Sequence, residues 1–174
     1  MKVFLGFDKV SFEFTTIAEL KKKAIELNIS IGEDASIGDG ASIGNHASIG
    51  EDASIGNHAS IGDGASIGNG ASIGNRASIG EDVKLGIRIK LSDNCGIDFS
   101  FNFNNLYKYD VSGFYENTTK KYYIQLGCFT RSIEEWEKNF YNNTSEFPEG
   151  SNETKKRFKA YNLMKQLIQN HKGF

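Results

Sequence analysis

Few side chains in this sequence have the type and placement to move a proton or hold a metal. Catalysis near neutral pH favours a base that titrates there, which points to histidine, and the chain has three: His46, His58 and His171. His46 and His58 sit in identical Asn-His-Ala-Ser-Ile-Gly contexts, so either could deprotonate a hydroxyl or an amine. The same slot holds Asp34, Gly40, Arg76 and Asp82 in otherwise unchanged surroundings, which equally describes a solvated position that tolerates many side chains. His171 stands far away in a C-terminal helical pattern, so no three-histidine metal site is expected. Cys95 and Cys128 form neither a disulfide framework nor a zinc-ligand pair. Cys128 is expected just before a helix N-terminus, where a thiolate is stabilised, with a buried apolar role as the alternative. The pairs Glu33-Asp34 and Glu51-Asp52 either bridge a cation or splay into solvent.

The elements that position these residues follow from a strict repeat. Isoleucine recurs every six residues from Ile31 through Ile37, Ile43, Ile49, Ile55, Ile61, Ile67 and Ile73 to Ile79, and the phase continues through Leu85, Leu91 and Ile97. Alanine keeps the same period from Ala35 to Ala77, and a serine lies between each alanine and its isoleucine. Apolar-polar-apolar is the alternation of a very short half-buried strand, with Ala and Ile inward and Ser outward. Gly and a polar pair follow, residue types that turn the chain and tolerate positive φ. One such strand cannot bury its apolar side alone, so successive strands must wind around a shared axis.

The [Ile/Leu/Val]-Gly-x-x-[small]-x units of residues 29–103 resemble the hexapeptide-repeat family, the bacterial transferase hexapeptide proteins. That resemblance implies a left-handed triangular parallel β-helix with three hexapeptides per coil, here about four coils, in a mainly β chain. It also implies one stacking period of 18 residues, which would set Arg76 one coil beyond His58. Many relatives transfer an acyl group from acetyl-CoA or another acyl-CoA to a sugar or small amine, using a histidine at the groove between the subunits of a trimer. On that reading His58 or His46 is the base and acetyl-CoA the substrate. This chain departs from those enzymes in two ways: its repeat has no loop excursion, and the Gly-x-Pro-Ala motif is absent, since the only proline is Pro148.

The ends of the rod are expected to be capped, because open strand edges invite pairing. Residues 1–28 read as one or two strands, with a hairpin turn at Asp8-Lys9, followed by a helix opened by the capping box Thr16-Ile17-Ala18-Glu19. Residues 104–174 are rich in Phe, Tyr, Asn and Lys and read as a β-β-α-α module. Its strands are Leu106 to Phe114 and Lys120 to Leu126, its first helix starts at the capping box Ser132-Ile133-Glu134-Glu135, and its last runs from about Glu153 to His171. The segment Tyr123 to Phe129 followed by Ser132 to Trp136 is similar to modules that end uncharacterised hexapeptide proteins of phages and prophages.

A formal charge of −2 over 174 residues gives no basic field for nucleic acid. No apolar run reaches a membrane span, and Met1 to Leu5 is too short for a signal peptide, so a soluble cytoplasmic or virion protein is expected. The charge is nonetheless uneven. Residues 29–82 carry eight acids and one base, while Lys155, Lys156, Arg157 and Lys159 crowd the start of the last helix, where cations oppose its dipole. The leading expectation is a non-enzymatic structural or interaction protein without cofactor or metal, a self-associating rod and possible phage or prophage component. The acyltransferase is the alternative. A homotrimer is expected from the resemblance, with Tyr107, Tyr109, Phe114, Tyr122 and Trp136 at its interface, and with Lys155 and Lys156 facing an acidic neighbour.

Overall fold

A computed structural model describes residues 1–6 and 10–171 of the chain. The expected hairpin turn at Asp8-Lys9 lies outside the described residues. Strand β1 (Lys2–Leu5) pairs antiparallel with β2 (Val10–Glu13), and helix α1 (Ile17–Glu26) leads into the repeat. The hexapeptides then build a parallel solenoid with three walls. Wall one stacks β3 (Ser30–Ile31), β6 (Ser48–Ile49), β9 (Ser66–Ile67) and β12 (Lys84–Leu85). Wall two stacks β4 (Ser36–Ile37), β7 (Ser54–Ile55), β10 (Ser72–Ile73) and β13 (Lys90–Leu91). Wall three stacks β5 (Ser42–Ile43), β8 (Ser60–Ile61), β11 (Ser78–Ile79) and the longer β14 (Gly96–Phe103).

The register is the one the repeat requires: Ser36 pairs with Ser54 and Ile37 with Ile55, and Ser54 in turn with Ser72 and Ile55 with Ile73. Ile37, Ile43, Ile49, Ile55, Ile61, Ile67, Ile73, Ile79, Leu85 and Ile97 are buried in one continuous core with the alanines between them. Ile31 and Leu91, at the two ends, are partly buried against that core. Each buried isoleucine removes enough apolar surface from water to contribute about 1.5–3 kcal/mol before entropy.

Three features of the corners set the coil spacing. The second corner residue has a φ between 53° and 70° in all twelve units from Asn28 to Asn94, whether it is Asp, Asn, His, Arg or Gly. The glycine after each isoleucine is required by contact rather than by φ. A Cβ on Gly56 would lie 2.6 Å from the backbone of both Gly74 and Asn75 in the next coil, where only hydrogen fits. The first corner residue adds a side-chain ladder, since Asn57 Oδ1 accepts the Asp39 N–H at 2.8 Å and Asn75 Oδ1 the Asn57 N–H at 2.9 Å.

At the N-terminal end α1 forms through the expected capping box, with Glu19 N–H donating to Thr16 Oγ1 at 3.3 Å, and it buries Leu20 and Ala24. Strand β1 occupies the place one coil before β5, with Phe4 opposite Ser42 and Leu5 opposite Ile43. At the other end the structure corrects the expected β-β-α-α module. Wall three continues as four antiparallel strands, β14, β15 (Val111–Glu116), β16 (Lys121–Leu126) and β17 (Phe129–Ser132), before α2 (Ile133–Asn139) and α3 (Asn152–His171). The chain from Leu106 to Asp110 is bend and turn rather than strand, because Asn105 adopts a φ of 53° and its N–H donates to Asp110 Oδ1 at 2.9 Å. Helix α3 packs on β15 over Gly113, whose Cβ would meet Met164 Sδ at 2.4 Å. Phe114 stays paired within β15, and its side chain joins the end of the solenoid core. No helix among the described residues is long and apolar enough to cross a membrane.

Replacing Ile55 by Ala in a middle coil is expected to cost about 2–5 kcal/mol, because the narrow prism cannot collapse around the cavity. Replacing the exposed Ser54 by Ala should stay within about 0.5 kcal/mol. Gly56→Ala forces two coils apart and should cost about 1–3 kcal/mol. Denaturant titration of the three variants measures all of these, and equal costs at Ile55 and Ser54 would contradict the inward and outward assignment.

Candidate functional site

The two candidate bases do not come together. His46 lies at the corner between walls three and one, and His58 at the corner between walls two and three; both are exposed. Each occupies the left-handed slot that its neighbours in the repeat also occupy, with φ of 58° and 57°. The His58 imidazole leans over the preceding coil at Gly40, where an added Cβ would sit 2.3 Å from Nδ1. His171 instead packs its ring 4.1 Å from Phe99 and 5.5 Å from Phe101.

Two cavities lie where the last coil meets the C-terminal strands, and neither is lined by a histidine. The larger, of about 530 Å³, is walled by Leu85, Ile87, Tyr109, Gln125, Phe129 and Phe147 among others. Tyr109 is held at its rim by donating to Glu146 Oε1, which also accepts from Lys108 Nζ at 2.9 Å. Ile87 is the one sequence signal for this cavity. It puts an exposed isoleucine in the first corner position, which is Asp, Asn or Glu in the units from Glu33 to Glu81. The smaller cavity, of about 350 Å³, opens at β13 and includes Lys90, Leu91, Glu116 and Thr130. Sequence reasoning singled out none of its charged residues, Arg88, Lys90 and Glu116.

Cys128 lines both cavities from the exposed turn between β16 and β17. Strand β17 separates it from α2, so the expected placement before a helix N-terminus and the buried alternative are both corrected. Cys95 is buried, and burial first, then the nearby Glu116 and Asp93 carboxylates, pushes its thiol up to about 11, which keeps it protonated. Two expected interface aromatics are corrected as well. Phe114 and Trp136 are only 1% and 0% exposed, because Phe114 plugs the solenoid and Trp136 anchors the C-terminal core with its Nε1 donating to Ile124 O at 2.7 Å. Tyr109 is at the surface, Tyr107 and Tyr122 are partly buried, and Lys155 and Lys156 are exposed. Arg157 has an internal reason to stand near the start of α3. It is buried with its guanidinium 4.5 Å from the Phe147 ring, 5.0 Å from Phe140 and 5.1 Å from Trp136, and it donates to Phe140 O at 3.2 Å. Among the described residues no group of three or more His, Cys, Asp or Glu could hold a metal ion.

Glu116 ties the C-terminal sheet to the solenoid. Its carboxylate accepts from Thr118 N and Gly96 N through Oε1 and from Thr119 N through Oε2, at 2.9, 3.3 and 2.8 Å. Desolvation opposes its ionisation, but the hydrogen bonds from Thr119 and Thr118 outweigh it and hold the pKa below the ordinary glutamate value. A folded-state pKa below the unfolded one means this stabilisation is complete above the ordinary glutamate range and is lost as pH falls through the folded value. Glu116→Gln is therefore expected to flatten the acid limb of a stability-against-pH curve measured by denaturant titration, and an unchanged slope would remove Glu116 from that role.

The family model described as Bacterial transferase hexapeptide (six repeats) matches residues 28–63. No curated protein matches the chain. The matched stretch begins at the first left-handed corner, and the same strand register runs on without a slip to Ile97. The solenoid of this chain is a hexapeptide-repeat β-helix.

Proposed function

We propose that this chain is a non-enzymatic interaction protein, a capped rod that associates with copies of itself and serves as a component of a larger assembly, such as a phage or prophage particle. The observation that supports this reading best is the uniformity of the corners. From Asn28 to Asn94 every second corner residue takes the same left-handed conformation without a loop excursion, so His46 and His58 fill a slot set by the winding of the chain. A general base is positioned by its surroundings, and a slot filled equally by Asp, Gly and Arg imposes no such surroundings.

Self-association is proposed as a trimer, since closed cyclic symmetry uses the same faces of every copy. Exposed Tyr109, Tyr141 and Phe158 supply aromatic surface on the C-terminal part, and Lys155 and Lys156 supply charge to meet an acidic rod.

The catalytic alternative is tested by incubating the protein with acetyl-CoA and a panel of amino sugars and small amines while following release of the CoA thiol. No turnover is expected. Turnover that disappears in His58→Asn or His46→Asn, substitutions that suit the left-handed corner, would overturn the non-enzymatic reading. Sedimentation at micromolar concentration should show a trimer that weakens from low to physiological salt, as the Debye length shortens to about 8 Å. Lys155→Glu with Lys156→Glu should weaken it further, and a monomer in low salt would overturn self-association.

A further inference from the structure

On each wall the serine and glycine N–H groups of one coil donate to the next coil toward the C-terminal end. On wall two Ser36 N–H donates to Ala53 O at 2.8 Å, Ser54 N–H to Ala71 O at 2.8 Å and Ser72 N–H to Ile89 O at 2.7 Å, while Gly38 N–H donates to Ile55 O at 2.7 Å and Gly56 N–H to Ile73 O at 2.8 Å. Each of these donors points toward the C-terminal end. Lys90 and Ser92 hold the equivalent positions in the last coil, so their N–H groups face away from β10. The other two walls are closed at this point. On wall one Lys84 N–H donates to Ser100 Oγ at 2.8 Å and Lys84 O accepts from Asn102 Nδ2 at 3.0 Å, and on wall three β14 pairs with β15. On wall two β13 is the edge strand, and among the described residues no strand pairs with its outer side.

The cavity of about 350 Å³ is lined along that edge by Lys90, Leu91 and Ser92. Partly buried Leu91 forms its apolar floor, at the end of the column of Ile37, Ile55 and Ile73, with Phe114 and Tyr123 beside it. Thr130 also lines it, and Thr130 Oγ1 is buried without a hydrogen-bond partner. Its charge is lopsided in effect. Arg88 and Lys90 are exposed and form no ion pair among the described residues, whereas the carboxylate in the lining, Glu116, is occupied by three N–H donors. After a stretch dominated by acids, residues 84–90 contain Lys84, Arg88 and Lys90 and no acid.

We propose that the outer edge of β13 receives an extended acidic segment of a partner protein as one more parallel strand. Its carbonyls accept from the N–H groups of Lys90 and Ser92. The register of the wall gives the side-chain pattern: an acidic residue opposite Lys90, facing outward in the column of Ser36, Ser54 and Ser72, and an aliphatic residue over Leu91, continuing the inner column. The inference deepens the reading of an interaction rod by naming the chemistry of a partner, and it concerns the end of the rod, so its failure would leave self-association through other faces standing.

The probe is a dye-labelled, end-blocked Glu-Val-Glu-Val-Glu peptide, followed by fluorescence anisotropy on the full chain. Saturable binding is expected. Lys90→Glu should weaken it about tenfold and should favour the matching Lys-Val-Lys-Val-Lys peptide, with an unchanged far-UV spectrum showing that the variant folds. Amide hydrogen exchange at Lys90 and Ser92 should slow when the acidic peptide is bound. Absence of saturable binding, binding indifferent to Lys90→Glu, or binding that leaves both amides unprotected would each overturn the proposal. Protection of the same amides on raising the concentration of the protein alone would assign the edge to a second copy and overturn the partner reading.

Discussion

The structure depends on one constraint: the backbone of each coil must lie within hydrogen-bonding distance of the next, at the strand spacing of about 4.8 Å. Side chains that would hold the coils apart are excluded where backbones meet, which is why glycine follows each isoleucine from Ile31 to Ile73. Side chains that help the coils approach are selected at the corners, where an Asn or Asp oxygen takes an N–H of the preceding coil. The buried isoleucines contribute the hydrophobic free energy, but the contact geometry of the corners fixes their columns in register. A one-residue slip would turn every isoleucine outward and every serine inward.

The two ends of the rod leave strand edges and an apolar interior that other parts of the chain must cover. At the N-terminal end wall three is met by β1, whose Phe4 and Gly6 N–H groups donate to Ala41 O and Ile43 O at 2.8 and 2.9 Å. At the C-terminal end the Lys84 N–H on wall one donates to Ser100 Oγ and the Lys84 carbonyl accepts from Asn102 Nδ2, and on wall three β14 pairs with β15. Gln125 Nε2 also donates to the Ile87 carbonyl beside wall one. Helix α1 and Phe114 then cover the apolar interior that a ladder alone leaves open. Capping is thus divided between polar groups that complete hydrogen bonds and apolar groups that exclude water.

The solenoid was legible in the sequence because its period is exact in residue type, and the capping boxes at Thr16 and Ser132 were legible because each is signalled by two residues three positions apart, Thr16 with Glu19 and Ser132 with Glu135. The C-terminal strands were less so. Strand β17 alternates little, and Leu106 to Asp110 looks strand-like by composition, yet one left-handed asparagine at Asn105 breaks it. The strand β1 could not be read as a solenoid rung, since pairing parallel to a strand some forty residues later leaves no local pattern. The aromatic residues mark a second difficulty. Composition identifies Phe114, Tyr122 and Trp136 as surfaces worth burying, but whether a chain buries them within itself or against a partner is decided by tertiary packing. The same holds for Arg157, whose charge reads as surface while three aromatic rings and a carbonyl hold it inside.

Function in this chain is best sought where the repeat stops being a repeat. A solenoid that copies one unit also copies its surface, so each corner and each serine face presents nearly the same chemistry as the next, and little in it can single out one ligand. Distinct chemistry enters at Lys84, Ile87, Arg88 and Lys90, where basic and apolar residues replace the serine and acid of earlier units. Those residues lie against the strands that cap the rod, and the two cavities form between the last coil and those strands. The strands that leave β13 at an edge also supply walls of the cavity beside it. Specific recognition then needs no departure from the winding rule elsewhere in the rod, which is free to be as regular as its packing demands.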